Sequence, residues 1–395
     1  MNTTSDFSAD SSPFSILGCF RDLDDPRVNR TKDHELGDIL VIAICTLLCG
    51  GEHFSDMEKF GKAKESWLRT FLRLPHGIPS HDTFNRVFAA LDPQAFGDCF
   101  LRWTQHVRRA VSEELVAIDG KALRRALRKG SVPHIVSAWA AENGLVLGQR
   151  KADEKSNEIT AIPELLRALE LAGCIVTIDA MGCQKAIAKE IREADADYVL
   201  ALKGNQGTVH EEIKTFLDDA VQRTPQALPY FETTEKDHGR IEIRRYWQTD
   251  QLDWFADRTK WEGLASIGMV ESERQLLGAN VTIERRYFLS SLPIQPARFA
   301  HAVRGHWTVE NSLHWVLDVQ FGEDQSRTRI GYAAENLAAL RRMTLNLLKR
   351  DATIKGGIKS KQKVAGWDHA YLMRLLGLSV TLDAPPQGPG EPLGA

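Results

Sequence analysis

The sequence predicts an α/β protein in which a small all-α domain precedes a mixed-sheet core with a β-rich insertion. Residues 14–109 follow a helical pattern, and from Leu115 onward short apolar runs alternate with amphipathic helices. From about Leu228 to Ser291 the strands alternate apolar with charged residues, which is typical of half-exposed antiparallel strands. This order of elements predicts helices packed over a mixed sheet.

Changes in pattern divide the chain into six predicted segments. They are a disordered tail (1–12), a helical domain that is a candidate for DNA binding (13–110), the first part of the core (111–227), the β-rich insertion (228–292), the second part of the core (293–352), and a linker with a short helix and a disordered tail (353–395).

Composition is ordinary for a globular protein of 395 residues, with 43% hydrophobic residues, 26% charged residues and a net charge of −3. The net charge gives no signal of nucleic-acid binding, so any basic surface must be local. Six cysteines without CxxC pairs are typical of reduced cytosolic thiols. The polar N-terminus lacks a secretory signal, and the longest apolar run, residues 39–49, is too short to span a bilayer. We therefore expect a cytoplasmic protein without a membrane partner.

The helical domain contains three recognisable helices. Residues 38–48 are apolar nearly all round, which predicts the centre of a small bundle, and Gly50 and Gly51 end that helix. A second helix is predicted over residues 54–74, and Ser80 is a predicted N-cap of the third. Helix–turn–helix units of this size can bind DNA. A bundle that only braces the next domain explains the pattern equally well.

Two apolar, β-branched runs each end in an aspartate. Residues 115–119 end in Asp119, and residues 174–179 end in Asp179. Such runs are typical of strands buried on both faces, and open α/β sheets place their sites at the ends of these strands. An aspartate at a strand end can also simply cap a loop or helix.

A third acid, Glu310, lies in a predicted helix over residues 304–318. His306, Glu310 and His314 are spaced i, i+4 and i+8, so we expect them on one helix face. An ionised carboxylate on a largely apolar helix needs a partner, either an arginine or a metal ion. Asp119 and Asp179 favour the metal. Carboxylate oxygens suit Mg²⁺ or Mn²⁺, and two such ions catalyse in-line displacement at phosphorus.

Basic and polar residues near these acids are candidates for DNA contact. Five basic residues follow Asp119, and charge runs are usually solvated faces, but this position favours phosphate contact. Residues 203–206 lie near the same predicted sheet edge, the strands of the β-rich stretch carry arginines, and two further candidates precede Glu310. The predicted DNA-binding residues are Lys121, Arg124, Arg125, Lys203, Asn205, Gln206, Arg240, Arg244, Arg304 and His306, with Arg128 and Lys129 in the same basic run.

The segment after the Glu310 helix begins with an acidic cluster, Asp318, Glu323 and Asp324, which we expect to support the metal ligands or to face solvent. A long helix is predicted over residues 332–350 and a last helix over 367–376, with a Gly/Lys linker at 355–363 between them. The Pro/Gly-rich tail from Asp383 is predicted to be disordered.

Four segments together resemble the ISAs1-family insertion-sequence transposases and the related H-repeat proteins. These are residues 116–121 (VAIDGK), 176–184 (VTIDAMGCQ), 198–206 (YVLALKGNQ) and 306–324 (HWTVENSLHWVLDVQFGED), and the resemblance runs from Ile16 to Arg350. It implies an RNase H-like core of the DDE type, with Asp119, Asp179 and Glu310 as catalytic, metal-binding residues for Mg²⁺ or Mn²⁺, two ions being expected. It also implies double-stranded DNA substrates (the terminal inverted repeats and target DNA), a homodimer in the active complex, and association with the bacterial nucleoid.

The sequence departs from the wider IS4-like group around the glutamate. Where that group has a Tyr–Arg–Glu–Lys signature, this chain has Val303, His306, Glu310 and Leu317. How the terminal phosphate is held, and whether a hairpin end forms, stays open.

Three rival functions remain. A metal-dependent nuclease of the same fold would cut without strand transfer, and a DNA-binding remnant of a transposase would not cut. A zinc enzyme could use His306, Glu310 and His314, although structural zinc prefers more closely spaced nitrogen and sulfur ligands.

Overall fold

The structure is a computed structural model that describes residues 16–28, 32–109, 111, 113–127, 132–152, 158–224, 226–237, 239–276 and 280–378. The two segments predicted to be disordered (1–12 and the tail from Asp383) lie outside these residues, as do Arg128 and Lys129. Within the described part of the chain, no helix combines the length and apolar character needed to cross a membrane.

Nine strands in the described residues form one mixed sheet with the order β3-β2-β1-β4-β5-β9-β8-β7-β6. The strands are β1 (Leu115–Ala122), β2 (His134–Ala140), β3 (Leu145–Ala152), β4 (Ile175–Ile178), β5 (Asp197–Leu202), β6 (Tyr230–Asp237), β7 (Arg240–Thr249), β8 (Ser266–Leu276) and β9 (Thr282–Ser290). β1, β4 and β5 run parallel, and the other neighbours in the sheet are antiparallel. The predicted RNase H-like mixed sheet is confirmed.

Helices cover the sheet and form a second layer beside it. They are α1 (Ile16–Cys19), α2 (Leu36–Leu48), α3 (Phe54–Leu68), α4 (His81–Ala90), α5 (Pro93–Val107), α6 (Glu158–Ala168), α7 (Lys185–Glu193), α8 (Gly207–Arg223), α9 (Pro296–His306), α10 (Trp315–Phe321), α11 (Ala333–Arg350), α12 (Ile358–Trp367) and α13 (His369–Leu376). The predicted N-cap is present, because the Ser80 side chain accepts a hydrogen bond from the Thr83 backbone N–H.

The β-rich stretch forms four strands, β6 to β9, and continues the core sheet directly. β9 pairs antiparallel with β5, with Leu289 opposite Leu200. The first half of β9 is exposed and its second half is buried, so only the part beside β5 belongs to the core. The stretch is therefore joined to the sheet edge by backbone pairing.

The N-terminal helices share a core with the C-terminal part of the chain. Every residue of α2 is buried, and α2 packs against α3, α11 and α12. Asn336 of α11 donates hydrogen bonds to the Phe88 and Leu91 carbonyls, which ties α11 to the end of α4. Since α11 follows the Glu310 segment, these contacts favour the bracing interpretation of the helical domain.

α12 occupies most of the stretch that the sequence predicts to be a Gly/Lys linker. Lys361 is buried and donates a hydrogen bond to the Leu348 carbonyl at 2.9 Å. Gln362 donates to the Leu47 carbonyl at the end of α2. A composition rich in lysine hides this helix from sequence analysis, because the lysine stem is apolar enough to be buried when its ammonium group finds carbonyl partners.

Candidate active site at the edge of the sheet

Asp119 and Asp179 are brought side by side by the parallel pairing of β1 with β4. Ile118 and Ile178 form the last pair of that register, so the two aspartates occupy the next position on each strand. Asp119 does not end its strand as predicted, because β1 continues to pair with β2, where Asp119 lies opposite Ser137. The two acids nevertheless lie on adjacent strands, as predicted.

Asp179 also caps the turn that follows β4. Its Oδ1 atom accepts hydrogen bonds from the backbone N–H groups of Met181 (3.1 Å) and Gly182 (3.4 Å). The capping role that the sequence left open is therefore present. It fixes the orientation of the carboxylate at the sheet edge.

The carboxylates around Asp119 repel one another. The pKa of Asp119 is raised to about 7, mainly by burial and then by the negative charge of Asp179, with Glu158 and Glu310 contributing and a hydrogen bond from the Gly120 backbone opposing the rise. Negative charge gathered at one point and supplied by oxygen atoms alone is the environment that a hard divalent cation stabilises.

Glu158, at the start of α6, is a site residue that sequence analysis missed. It is buried, and its Oε1 atom lies 3.2 Å from Nδ1 of His134 on β2. A Cβ atom on Gly120 would lie only 2.3 Å from Oε1 of Glu158, so this carboxyl group packs directly against the glycine and would have to shift to admit a side chain. The glycine after Asp119 was the signal that could have indicated a close neighbour.

The helix that carries Glu310 is interrupted at that residue. α9 ends at His306, a π-helical turn spans Glu310–His314, and α10 follows from Trp315. The prediction that His306, Glu310 and His314 lie on one face of a regular helix is therefore wrong, because a π-turn accommodates an extra residue and rotates the residues that follow it. Glu310 is exposed at the start of this turn. π-turns of this kind occur frequently at functional sites.

The two histidines that flank Glu310 face the strands. Nδ1 of His306 lies 3.0 Å from the Thr177 hydroxyl on β4, and Nδ1 of His314 lies 3.4 Å from Oδ2 of Asp119 on β1. α9 approaches β1 closely, because a Cβ atom on Gly305 would lie 2.1 Å from the Leu115 side chain. The Glu310 segment is thus held directly against the two strands that carry the aspartates.

Both histidines are neutral at physiological pH. Burial lowers the pKa of His306. Burial, followed by the positive charges of Arg342 and Lys121, lowers the pKa of His314 to about 3. Neither histidine therefore offsets the negative charge of the carboxylates.

The acids lie near one another without forming a finished metal site. Within the described ranges, no three His, Cys, Asp or Glu side chains are arranged so that they could hold one metal ion. His306 and His314 contact different strands, so their positions give no support to a zinc site shared with Glu310. The pair Asp119 and Asp179 offers only oxygen ligands, which fits a hard cation, whereas Glu310 is exposed.

Lys121 is turned away from solvent. It is buried, and its Nζ atom lies 2.7 Å from Oδ1 of Asp318 and 2.7 Å from Oδ1 of Asp324. Arg124 is exposed and its Nε atom lies 3.4 Å from Asp324. The acidic cluster therefore neutralises Lys121, and the predicted phosphate contact is not available to this lysine in the structure.

Glu323, the third member of the acidic cluster, is fully buried. It forms an ion pair of 2.9 Å with Arg342 of α11, which is also fully buried. Arg342 donates a further hydrogen bond to Ser137, the residue opposite Asp119. This pair connects α11 to the centre of the sheet beneath the candidate site.

The loop after β5 supports the loop that carries Asp179. The Asn205 side-chain amide donates to the Ala180 carbonyl, and that of Gln206 donates to the Cys183 carbonyl at 2.9 Å. These two residues, predicted to bind DNA, are thus bonded to the backbone after β4. Lys203 is exposed at the end of β5.

Most arginines predicted to contact DNA from the β-rich stretch are paired with carboxylates. Arg244 is buried against Glu242 (2.6 Å) and Glu235 (3.0 Å), and Arg304 lies 3.1 Å from Glu235. Arg240 is more exposed, with Glu242 at 3.8 Å. The remaining arginines form similar pairs: Arg245 with Glu232, Glu271 and Glu273, Arg285 with Asp218 and Glu271, and Arg286 with Glu284.

Two family models match this chain. Residues 112–347 match the model described as "Transposase DDE domain", and residues 17–104 match the one described as "DDE_Tnp_1-associated". The chain belongs to the DDE transposase family. The matched domain contains Asp119, Asp179 and Glu310, and the resemblance drawn from the motifs is confirmed.

Two relatives of this DDE transposase are named putative transposases. "Putative transposase YncI" of Escherichia coli O157:H7 is 40% identical over 369 residues, which are 92% of this chain and 94% of the relative. "H repeat-associated putative transposase YhhI" of Escherichia coli strain K12 is 39% identical over 354 residues, 87% of this chain and 93% of the relative. Both alignments include the helical region and the core.

A solved structure titled as a piggyBac transposase synaptic complex with hairpin DNA covers 95% of this DDE transposase and 87% of its own chain. The sequence identity is 11% and the TM-score is 0.41. At this level the similarity carries no functional conclusion.

Proposed function

We propose that this chain cuts DNA at the ends of an insertion sequence and joins the freed 3′ ends to target DNA by two-metal phosphoryl transfer. The supporting observation is the placement of Asp119 and Asp179 on adjacent parallel strands, where burial and then the charge of Asp179 raise the pKa of Asp119 to about 7. A divalent cation at this point offsets the repulsion between Asp119 and Asp179. Mg²⁺ and Mn²⁺ are the cations that such oxygen ligands select.

Asp119, Asp179 and Glu310 would hold the two ions. Bound ions would supply activation of the attacking oxygen and stabilisation of the leaving oxygen in an in-line displacement, which suits both cleavage and joining. Since Glu310 is exposed at the π-turn, the carboxylate lies at the surface that incoming DNA reaches.

Other residues of the chain hold these acids in place. His314 contacts Asp119 and keeps the Glu310 segment against β1. The N–H groups after Asp179 orient its carboxylate, and Asn205 braces the same loop through the Ala180 carbonyl. Lys203, exposed at the end of β5, supplies a cation for a DNA phosphate at the same sheet edge.

The proposed partners are double-stranded DNA and a second copy of the chain. The DNA comprises the terminal inverted repeats of the element and the target, both found on the nucleoid in the bacterial cytoplasm. Two ends have to be joined to one target, and a homodimer supplies one active site for each end.

The test is cleavage of a labelled duplex that contains an element end with its flanking DNA, in Mg²⁺ and in EDTA. We expect metal-dependent nicking at the end, lost in Glu310→Ala and kept in Glu212→Ala, which removes an exposed glutamate from α8. A second labelled duplex in the same reaction reports joining.

Each result discriminates between the candidate functions. Nicked and joined products support transposition. Nicking without joined products favours a nuclease, and DNA binding without nicking favours a non-catalytic DNA-binding protein. Nicking that survives Glu310→Ala removes Glu310 from the proposed ligand set.

A further inference from the structure

A cavity of about 560 Å³ opens between the helical region and the core. One wall comes from the start of α3 and from α4, and the other from the turn after β1 and the segment between α10 and α11. Its lining residues are His53, Phe54, Ser55, Asn85, Arg125, Gln325, Arg327, Thr328, Arg329 and Ile330. The lining therefore contains three arginines and no acidic residue.

The three arginines are held together by the fold. Nε of Arg329 donates a hydrogen bond of 3.2 Å to the backbone carbonyl of Arg125, which fixes two segments distant in sequence side by side. Arg125, Arg327 and Arg329 are all exposed. In the part of the chain that the structure describes, no carboxylate lies within ion-pair distance of any of the three. Like charges in one cavity repel, and an anion bound there stabilises them.

This distinguishes the cavity from the other arginine-rich surface of the molecule. The arginines of β7 and β9 are paired with glutamates, as with Arg245 and Glu232 at 2.9 Å. Even Arg124, next to Arg125, is within 3.4 Å of Asp324. The three cavity arginines therefore carry positive charge that no carboxylate of the described residues neutralises.

The start of α3 forms part of the cavity wall. α3 has 15 residues and begins at Phe54, which lines the cavity with His53 and Ser55. The carboxylate of Asp56 in the same turn accepts hydrogen bonds from the Glu52 and His53 backbones, 3.0 Å each. Asp56 is thus engaged with the backbone, outside the set of lining residues.

The cavity lies within reach of the candidate active site. Arg125 follows Asp119 by six residues, so their Cα atoms are at most about 22 Å apart. Duplex DNA rises about 3.4 Å per base pair, and this separation corresponds to roughly six base pairs. A duplex with its cleavage site at Asp119 can therefore continue over the cavity.

We infer that this cavity, with Arg327 and Arg329 as its core-side cations and Arg125 beside them, binds the phosphate backbone of duplex DNA next to the cleavage site. Neutral hydrogen-bonding groups from Ser55, Asn85, Gln325 and Thr328 complement the arginines, and such mixtures are common in DNA-backbone contacts. The inference rests on the proposed function, since the cavity contributes to the binding of the DNA that the active site cuts. It also gives the helical region a share in DNA binding without a recognition helix.

The experiment measures binding of the full chain to a labelled duplex over a series of KCl concentrations, in Ca²⁺-free EDTA buffer so that cleavage does not interfere. For Arg327→Ala/Arg329→Ala we expect the slope of log K against log salt to fall in magnitude by about 1.8, which is about 0.9 for each lost phosphate contact. Affinity at about 0.1 M salt should fall about tenfold or more.

Two control variants separate charge from folding and from general electrostatics. Arg327→Lys/Arg329→Lys keeps both charges and should retain most of the slope. Arg223→Ala removes an exposed arginine of α8 that pairs with Asp219 and should leave the slope unchanged. Circular dichroism of each variant checks that the fold is intact.

The outcomes separate the cavity from the proposed function. An unchanged slope in Arg327→Ala/Arg329→Ala, with Glu310-dependent cleavage by the wild type, overturns the cavity and leaves the transposase proposal intact. A wild type that shows no salt-dependent binding to duplex DNA overturns both. If millimolar inorganic phosphate stabilises the wild type but not the double variant, and their DNA slopes are equal, the cavity binds a free anion and the DNA-backbone inference is overturned.

Discussion

Nδ1 of His314 lies 3.4 Å from Oδ2 of Asp119, so the last residue of the π-turn contacts the first aspartate of the candidate site. His314 is largely buried and neutral, since its pKa is lowered to about 3. We therefore propose that it positions Asp119 and the Glu310 segment relative to each other. Proton transfer at neutral pH is not favoured by so low a pKa.

Replacing His314 should reduce cleavage without abolishing DNA binding. For His314→Ala we expect the rate of metal-dependent nicking to fall about 10–100-fold, as is typical when a residue that orients a metal ligand is removed. His301→Ala is the matched control, because His301 is an exposed histidine of α9 whose Nε2 atom lies 3.1 Å from Glu142. Single-turnover cleavage at several Mg²⁺ concentrations measures the effect. Equal rates for the two variants would contradict the positioning role.

The raised pKa of Asp119 predicts a pH-dependent stability in the absence of metal. An acid whose pKa rises from 3.8 to about 7 on folding binds more protons in the folded than in the unfolded protein between these values. The stability contributed by the protonated form is therefore present below about pH 4 and is lost as pH rises towards 7. Urea unfolding in EDTA from pH 4 to 8 should show this loss in the wild type.

Asp119→Asn provides the comparison for that profile. Asparagine does not titrate, so the loss of stability between pH 4 and 7 should be smaller in this variant. Mg²⁺ competes with the proton on Asp119, and the ion should restore stability to the wild type more strongly at pH 8 than at pH 5. Parallel pH profiles for the two proteins in EDTA would show that Asp119 is not the group responsible.

The proximity of Asp119 and Asp179 could be predicted from sequence, because each aspartate follows a local run of apolar, β-branched residues that marks a strand. The π-turn at Glu310 could not, since helical periodicity assumes a constant number of residues per turn. Glu158 escaped notice because its proximity to Asp119 depends on how α6 packs over β2 and β3. Packing between distant segments leaves no periodic signal in either one.

The sequence was also misleading about Lys121. Its position two residues after Asp119 suggested phosphate contact, yet the carboxylates that neutralise it, Asp318 and Asp324, lie about two hundred residues further along the chain. A basic run seen locally cannot reveal partners at that distance. The same reasoning explains why the arginines of β7 and β9 looked available for DNA.

Lys121→Met should destabilise the protein. The change leaves Asp318, Asp324 and the buried Glu323 with less positive charge around them, and breaking a buried ion pair from one side costs roughly 3–5 kcal/mol. Urea unfolding measures the loss. Lys203→Met, at an exposed position, should change stability by less than about 0.5 kcal/mol. If Lys121→Met instead kept full stability and weakened DNA binding, the phosphate-contact prediction would be restored.

Gly120→Ala tests the packing of Glu158 against β1. The new Cβ atom would lie 2.3 Å from Oε1 and 2.5 Å from Cδ of Glu158, so either the carboxyl group or the strand has to shift, at a cost of about 1–3 kcal/mol. Gly204→Ala is the matched control, because a Cβ atom there has no heavy atom within 4 Å. Thermal unfolding compares the two variants.

Because the displaced Glu158 is one of the charges that raise the pKa of Asp119, Gly120→Ala should also shift the Mg²⁺ concentration needed for cleavage. A fully stable Gly120→Ala with unchanged Mg²⁺ dependence would mean that Glu158 does not crowd Asp119 as the structure indicates.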